Sequence, residues 1–166
     1  MFDFSFLQNI PHELSTLLIA MIPIGELRVA IPIAILSYKM SWWSAYIWAV
    51  IGNMIPVIFI LWLIEPIYKF LIARSKICRK MFDWIFARTR QKLQTKVDKY
   101  GALALLIFVM IPLPATGAWS GALAAFIFGM KYKRAAFAIF GGVLLAGVIV
   151  TLAVLGAFGA AGRFFR

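Results

Sequence analysis

Cysteine and histidine are almost absent: Cys78 and His12 are single in a chain of 166 residues. One cysteine excludes an intramolecular disulfide and a thiolate metal cluster, and one histidine leaves zinc without its usual ligand set. Acids are scarce as well, with 6 Asp and Glu against 17 Lys and Arg, and charged residues make up only 14% of the chain. A soluble domain carries about a quarter. No glycine-rich phosphate loop ends in Lys-Ser or Lys-Thr, so ATP hydrolysis has no foothold. A nucleophile elbow and a paired-histidine metalloprotease motif are missing too, and nothing else supports an enzyme. What fills the space is apolar: the hydrophobic set reaches 64%, with a mean hydropathy of +0.94. Most of such a chain cannot sit in water, so it reads as an all-α integral membrane protein with a single membrane domain, 1–166.

The uncharged gaps give the organisation. From Lys39 to Glu65 there are 25 uncharged residues, from Lys99 to Lys131 there are 31, and from Arg134 to Arg163 there are 28. A spanning helix needs about 20 apolar residues, so 42–64 and 135–158 each hold one span. Segment 14–38 does not, because Pro23-Ile24-Gly25-Glu26-Leu27-Arg28 and Pro32 interrupt it. Segment 101–130 repeats the design, with Pro112-Leu113-Pro114-Ala115-Thr116-Gly117 as its break. Proline lacks a donor and constrains the residue before it. Both segments therefore read as re-entrant hairpins, each a half-helix in, a broken tip near the midplane and a half-helix out. Irregular backbone is tolerated at that depth only when shielded by protein or a water-filled cavity. Hairpin 14–38 with span 42–64, and hairpin 101–130 with span 135–158, then form an inverted repeat with opposite orientations, an architecture that transporters use to build midplane sites.

Basic residues set the orientation. Linker 65–100 holds ten Lys and Arg and shares a face with Lys131, Lys133 and Arg134, while Lys39, Arg163 and Arg166 lie opposite. Positive residues favour the cytoplasm, so the linker is expected there in a multi-pass protein of the cell membrane. Both termini then lie outside for two re-entrant hairpins and inside for a plain four-span bundle. Charge alone barely separates the two, and the broken segments favour the hairpins. Met1 to Glu13 lacks Lys and Arg, so no cleavable signal peptide is expected. Ile77, Met81, Trp84, Ile85, Leu93 and Val97 give the linker an apolar stripe at helical spacing, as in a basic amphipathic helix lying on anionic lipid. Its positive charge lacks a nucleic-acid recognition fold, so no nucleic-acid partner is expected.

The first candidate site is the break around Glu26 and Arg28. Ionisable residues inside a hydrophobic segment are costly and mark function by default. Arg28 offers a permanent charge suited to phosphate or carboxylate, and Glu26 either balances it or carries a coupling proton or sodium ion. Pro23, Gly25 and Pro32 shape the tip. In the second break Pro112 and Pro114 shape the tip, and Thr116 is a candidate N-cap leaving amides around Gly117 to Trp119 aimed into the site. Gly117, Gly121 and Ala125 share a small-residue face suited to close packing, while Thr116 and Ser120 either line a pathway or bond their own backbone. Asn53 stands near the middle of the first span, where an amide seeks an interhelical partner or a ligand, and Pro56 would kink that helix. No cofactor is implied beyond the coupling ion.

Gly25-Glu26-Leu27-Arg28-Val29-Ala30-Ile31-Pro32 and Ile111-Pro112-Leu113-Pro114-Ala115-Thr116-Gly117-Ala118-Trp119-Ser120-Gly121-Ala122-Leu123-Ala124-Ala125 closely resemble the two signature stretches of the small multidrug export proteins. That family looks related to the DedA/VTT superfamily, whose members carry two facing re-entrant hairpins and are linked to lipid translocation. The resemblance implies that Glu26, Arg28, Pro32, Pro112, Pro114, Thr116, Gly117 and Trp119 line or shape the site.

The expected function is that of a small secondary transporter or lipid translocase. It would move an amphipathic drug-like molecule or an anionic lipid such as a polyprenyl phosphate between the two hairpins, coupled to protons or sodium. A non-transporting membrane scaffold and an ion channel are the competing readings. The short chain leaves much hairpin surface to cover, so a homo-oligomer within the bilayer is expected.

Overall fold

The computed structural model describes residues 10–111 and 116–164, with side chains at all of these except 85–99 and 158–164. Every regular element among them is helical: α1 (His12–Met21), α2 (Glu26–Pro32), a π-helical turn (Ile33–Ser37), α3 (Trp42–Arg74), α4 (Lys76–Met110), α5 (Ala118–Ile127) and α6 (Tyr132–Phe164). Two of these helices, α3 and α6, are long and apolar enough to cross a membrane. On both, small residues predominate on the buried face and large apolar ones on the exposed face. On α3, Ala45, Ala49, Gly52, Asn53, Pro56 and Val57 are buried, while Trp42, Trp43, Ile47, Ile51, Ile58, Phe59 and Trp62 are exposed. On α6, Ala135, Ala138, Gly142, Ala146 and Gly147 are buried, and Phe137, Phe140, Leu145 and Leu152 are exposed. Small residues let helix backbones approach, and large apolar ones turned outward suit a hydrocarbon solvent.

The helix bounds correct two sequence expectations. Linker 65–100 is not a helix of its own: residues 65–74 finish α3, and α4 runs from Lys76 through the hydrophobic limb to Met110. The uncharged gap marks where polarity changes, which need not be where hydrogen bonding stops. The chain breaks instead at Ser75, which is extended (φ −132, ψ 116) and caps α4 by accepting from the Cys78 N–H at 3.3 Å. Second, Pro32 does not interrupt the first segment. It keeps helical angles (φ −56, ψ −45), and the helix widens into the π-turn after it. Pro56 and Pro66 both lie inside α3.

The chain packs as two units, which divide α3 before Pro56 and α6 before Val143. The first holds α1, α2, the π-turn, the start of α3 and the end of α6. Here α1 packs on α2 and on the π-turn, and their open ends are fastened. The His12 and Tyr38 rings stack at 4.7 Å and 7°, and the Thr16 hydroxyl lies 3.4 Å from the Met40 sulfur. Tyr46 of α3 donates its hydroxyl to the Leu144 carbonyl of α6 at 3.1 Å.

The second unit holds the end of α3 with α4, α5 and the start of α6. The Tyr68 ring meets Phe82 at 5.0 Å and Phe126 at 5.5 Å, both edge-on, tying α3 to α4 and α5. α5 packs on α4 and ends in a Schellman motif. Gly129 is left-handed (φ 67), its N–H bonds the Phe126 carbonyl, and the Met130 N–H bonds the Ala125 carbonyl, each at 2.9 Å.

Local structure recurs at a spacing of 90 residues. Lys39 (φ 55) ends the first helical segment as left-handed Gly129 (φ 67) ends the second. The Ala45 N–H bonds the Ser41 carbonyl as that of Ala135 bonds Lys131, each at 3.0 Å. Deeper in, Gly52 abuts the Leu17 carbonyl of α1, and Gly142 abuts the Leu106 carbonyl of α4. Each helix–break–helix segment thus lays its first limb on a glycine of the long helix that follows.

Candidate functional site

The first break covers Ile22–Gly25, between α1 and α2. Ile22 leaves the helix at ψ 130, and the Glu26 N–H returns to its carbonyl at 3.0 Å, closing a single turn. Pro23 and Ile24 are exposed, and Gly25 is half-buried. Gly25 is right-handed (φ −102), and the left-handed residue at this break is Glu26 (φ 49). Gly25 is needed for space instead, because a Cβ there would stand 3.0 Å from Cβ of Val29.

A left-handed residue other than glycine costs about 1–2 kcal/mol. Glu26 adopts that conformation with only 5% of its surface exposed. An acid that is strained and buried in an apolar segment accumulates costs that a plain turn would avoid. Arg28, two residues on, is half-buried with its Nε fully covered. Both residues are engaged in polar or electrostatic contacts.

Asn53 lies on α3 beside the second half of α1, the limb that leads into this break. It follows Gly52, whose added Cβ would lie 2.3 Å from the Leu17 oxygen and 3.0 Å from Cβ of Ala20, and Ala20 is in the last turn of α1. From Trp42 to Gly52 is about 15 Å at ~1.5 Å per residue, half of a core about 30 Å thick. Asn53 is 1% exposed, and neither its Oδ1 nor its Nδ2 has a hydrogen-bond partner among the described residues. The expected interhelical bond is therefore absent. The apolar side chains on α3's buried face offer the amide nothing.

Buried polar side chains concentrate in this first unit: Ser15, Thr16, Glu26, Asn53 and Thr151. Ser15 and Thr16 donate to the Pro11 and His12 carbonyls at 3.3 and 2.7 Å. Thr151 donates to the Gly147 carbonyl at 2.7 Å, so it is satisfied within its own helix. Trp42, Tyr46, Val148, Thr151, Leu152 and Leu155 line a groove of about 320 Å³ in the same unit. The hydroxyls of Tyr46 and Thr151 are both turned to backbone carbonyls, which leaves its walls effectively apolar.

In the second break Thr116 is not the cap of α5. Its hydroxyl donates to the Ile111 carbonyl at 2.8 Å, closing the end of α4, and Gly117 takes the N-cap position in an extended conformation (φ −113, ψ −169). The Ser120 hydroxyl accepts from the Gly117 N–H at 2.9 Å and donates to the Gly117 carbonyl at 3.2 Å. Both hydroxyls serve the backbone, and one amide expected to face a ligand is already bonded. Gly117 is buried, and Trp119 is half-buried with its indole nitrogen covered. Gly121 lies against α4, where an added Cβ would be 2.6 Å from a Val109 methyl. Pro112 and Pro114 lie outside the described residues.

No group of three or more His, Cys, Asp or Glu placed to hold a metal occurs among the described residues. A family model described as "Putative small multi-drug export protein" matches residues 26–149, from Glu26 to the middle of α6. No curated protein and no solved structure matches the chain.

Proposed function

Because the chain belongs to the small multi-drug export protein family, we propose that it carries amphipathic organic cations across the membrane, with Glu26 as the group that exchanges a proton for the cargo. The observation that carries this reading is Glu26 itself, a strained acid 5% exposed at the break between two packed half-helices. Of the two ionisable residues at the tip, the acid is the more deeply buried, which favours a positive cargo. Glu26 holds either a proton or the cation, and this alternation couples the two movements. Arg28 sets the field around the carboxylate and hinders occupancy by both charges at once.

The two helix–break–helix segments act as re-entrant hairpins in opposite orientations. The recurrence at 90 residues supports this, since net single crossings would invert the second copy. Residues 65–100 then face the cytoplasm with their ten positive charges, and both termini face outward. Close association of two or more copies would shield the hairpins. The glycine contacts and the Thr116 and Ser120 bonds hold the frame, while the Glu26 region moves cargo.

Proteoliposomes containing the full chain test this reading. An imposed pH gradient drives ethidium across the bilayer in the wild type, and dissipating the gradient stops it. Ethidium movement no faster than in protein-free liposomes overturns the proposal.

A further inference from the structure

The amide of Asn53 has no hydrogen-bonding task among the described residues. The position 90 residues on, Val143, is likewise fully buried, at 0% exposure against 1% for Asn53. Each follows the glycine that receives the first limb of its segment, Gly52 or Gly142. An apolar side chain serves that place in the second copy, so packing does not call for an amide in the first. The other buried hydroxyls of the unit bond carbonyls of their own helices, whereas the Asn53 oxygen and nitrogen bond nothing among the described residues. A buried amide in that state is unfavourable unless a partner arrives. Bilayer hydrocarbon cannot supply one.

We propose that Asn53 is a substrate-contacting residue that hydrogen-bonds the polar end of the cargo, and that it selects organic cations carrying N–H groups. This rests on the export reading above. The amide oxygen accepts from a cationic or aromatic amine, and its NH₂ donates to any acceptor beside that amine. Glu26 supplies the charge term common to every cation, and Asn53 supplies the discrimination. A site with an amide awaiting a partner penalises cargo that cannot fill it.

Two probes separate these roles. Ethidium carries two aromatic amines, and tetraphenylphosphonium has neither donor nor acceptor. Binding of each to the purified full chain in detergent is measured for wild type, Asn53→Leu and Asn53→Val, with thermal stability recorded in parallel. Both substitutions are expected to leave the melting temperature unchanged or higher. They weaken ethidium about tenfold and change tetraphenylphosphonium by less than about threefold. Equal losses for both probes, unchanged binding of ethidium, or failure of both variants to fold would overturn the assignment. A wild-type protein that binds neither probe overturns the export reading and this assignment with it, whereas a wild type that binds both without discrimination at Asn53 overturns this assignment alone.

Discussion

Gly52 of α3 and Leu17 of α1 meet backbone to backbone, with room for no more than a hydrogen between them: a Cβ at Gly52 would stand 2.3 Å from the Leu17 oxygen and 2.9 Å from its Cα. Neither of those atoms can rotate away. Gly52→Ala is therefore expected to destabilise the protein by about 1–3 kcal/mol through overpacking. Gly142→Ala, which meets the Leu106 oxygen at 2.8 Å and Cβ of Val109 at 2.7 Å, should cost a similar amount. Gly156 lies inside α6 with nothing within 4 Å, so Gly156→Ala is the control and should melt with the wild type or slightly above it. Thermal unfolding in a mild detergent checks all three.

Strain and chemistry at Glu26 are separable. Glu26→Gly removes the left-handed penalty and should raise stability or leave it level, offset in part by the freer unfolded chain. Glu26→Gln keeps the backbone and removes the charge. Both should lose pH-driven ethidium transport, whatever their melting temperatures. A Glu26→Gly variant that transports normally would mean that the break alone, and not the carboxylate, matters there.

Tyr46 ties α3 to α6 through its bond to the Leu144 carbonyl. Tyr46→Phe keeps the ring and leaves that carbonyl with one bond fewer, at an expected cost of about 0.5–1.5 kcal/mol. The apolar groove beside it should remain, so transport is expected to change little. Melting curves and transport rates measured on the same preparation separate the two effects.

In the second break, Ser120→Ala removes the acceptor for the Gly117 N–H, and Thr116→Val removes the donor to the Ile111 carbonyl. Each should lower stability by about 1 kcal/mol. Neither should alter the preference between cations, because both hydroxyls serve the backbone. A changed ratio of ethidium to tetraphenylphosphonium binding would place one of them in the site.

Much of this was legible in the residues. Long uncharged runs identified two membrane-capable helices, and Pro23 with the run from Pro112 to Gly117 located the interruptions in the two shorter segments. Helix ends were less visible. The charge boundary near Lys99 falls inside α4 because backbone hydrogen bonds pass unchanged from polar to apolar sequence. Pro32 read as a break, yet it keeps helical angles and the π-turn follows it without interruption. Gly25 read only as a residue shaping the tip, and nothing in the sequence marked Glu26 as the left-handed residue of the turn that closes back on Ile22. The repeat of the broken segments was readable, but its register of 90 residues was not, because Lys39 and Gly129 share a backbone conformation and no side-chain chemistry. Asn53 was recognisable as an intramembrane amide, while its lack of a partner depends on which side chains surround it, which periodicity does not reveal.

The central claim, that cation and proton compete for Glu26, is tested most directly by proton release on binding. Purified protein in weakly buffered detergent is titrated with tetraphenylphosphonium while the pH is followed with an indicator dye. The account predicts that the wild type releases protons as the cation binds, and that Glu26→Gln, folded to the same melting temperature, releases none. Binding without proton release in the wild type, or the same release from Glu26→Gln, would contradict it.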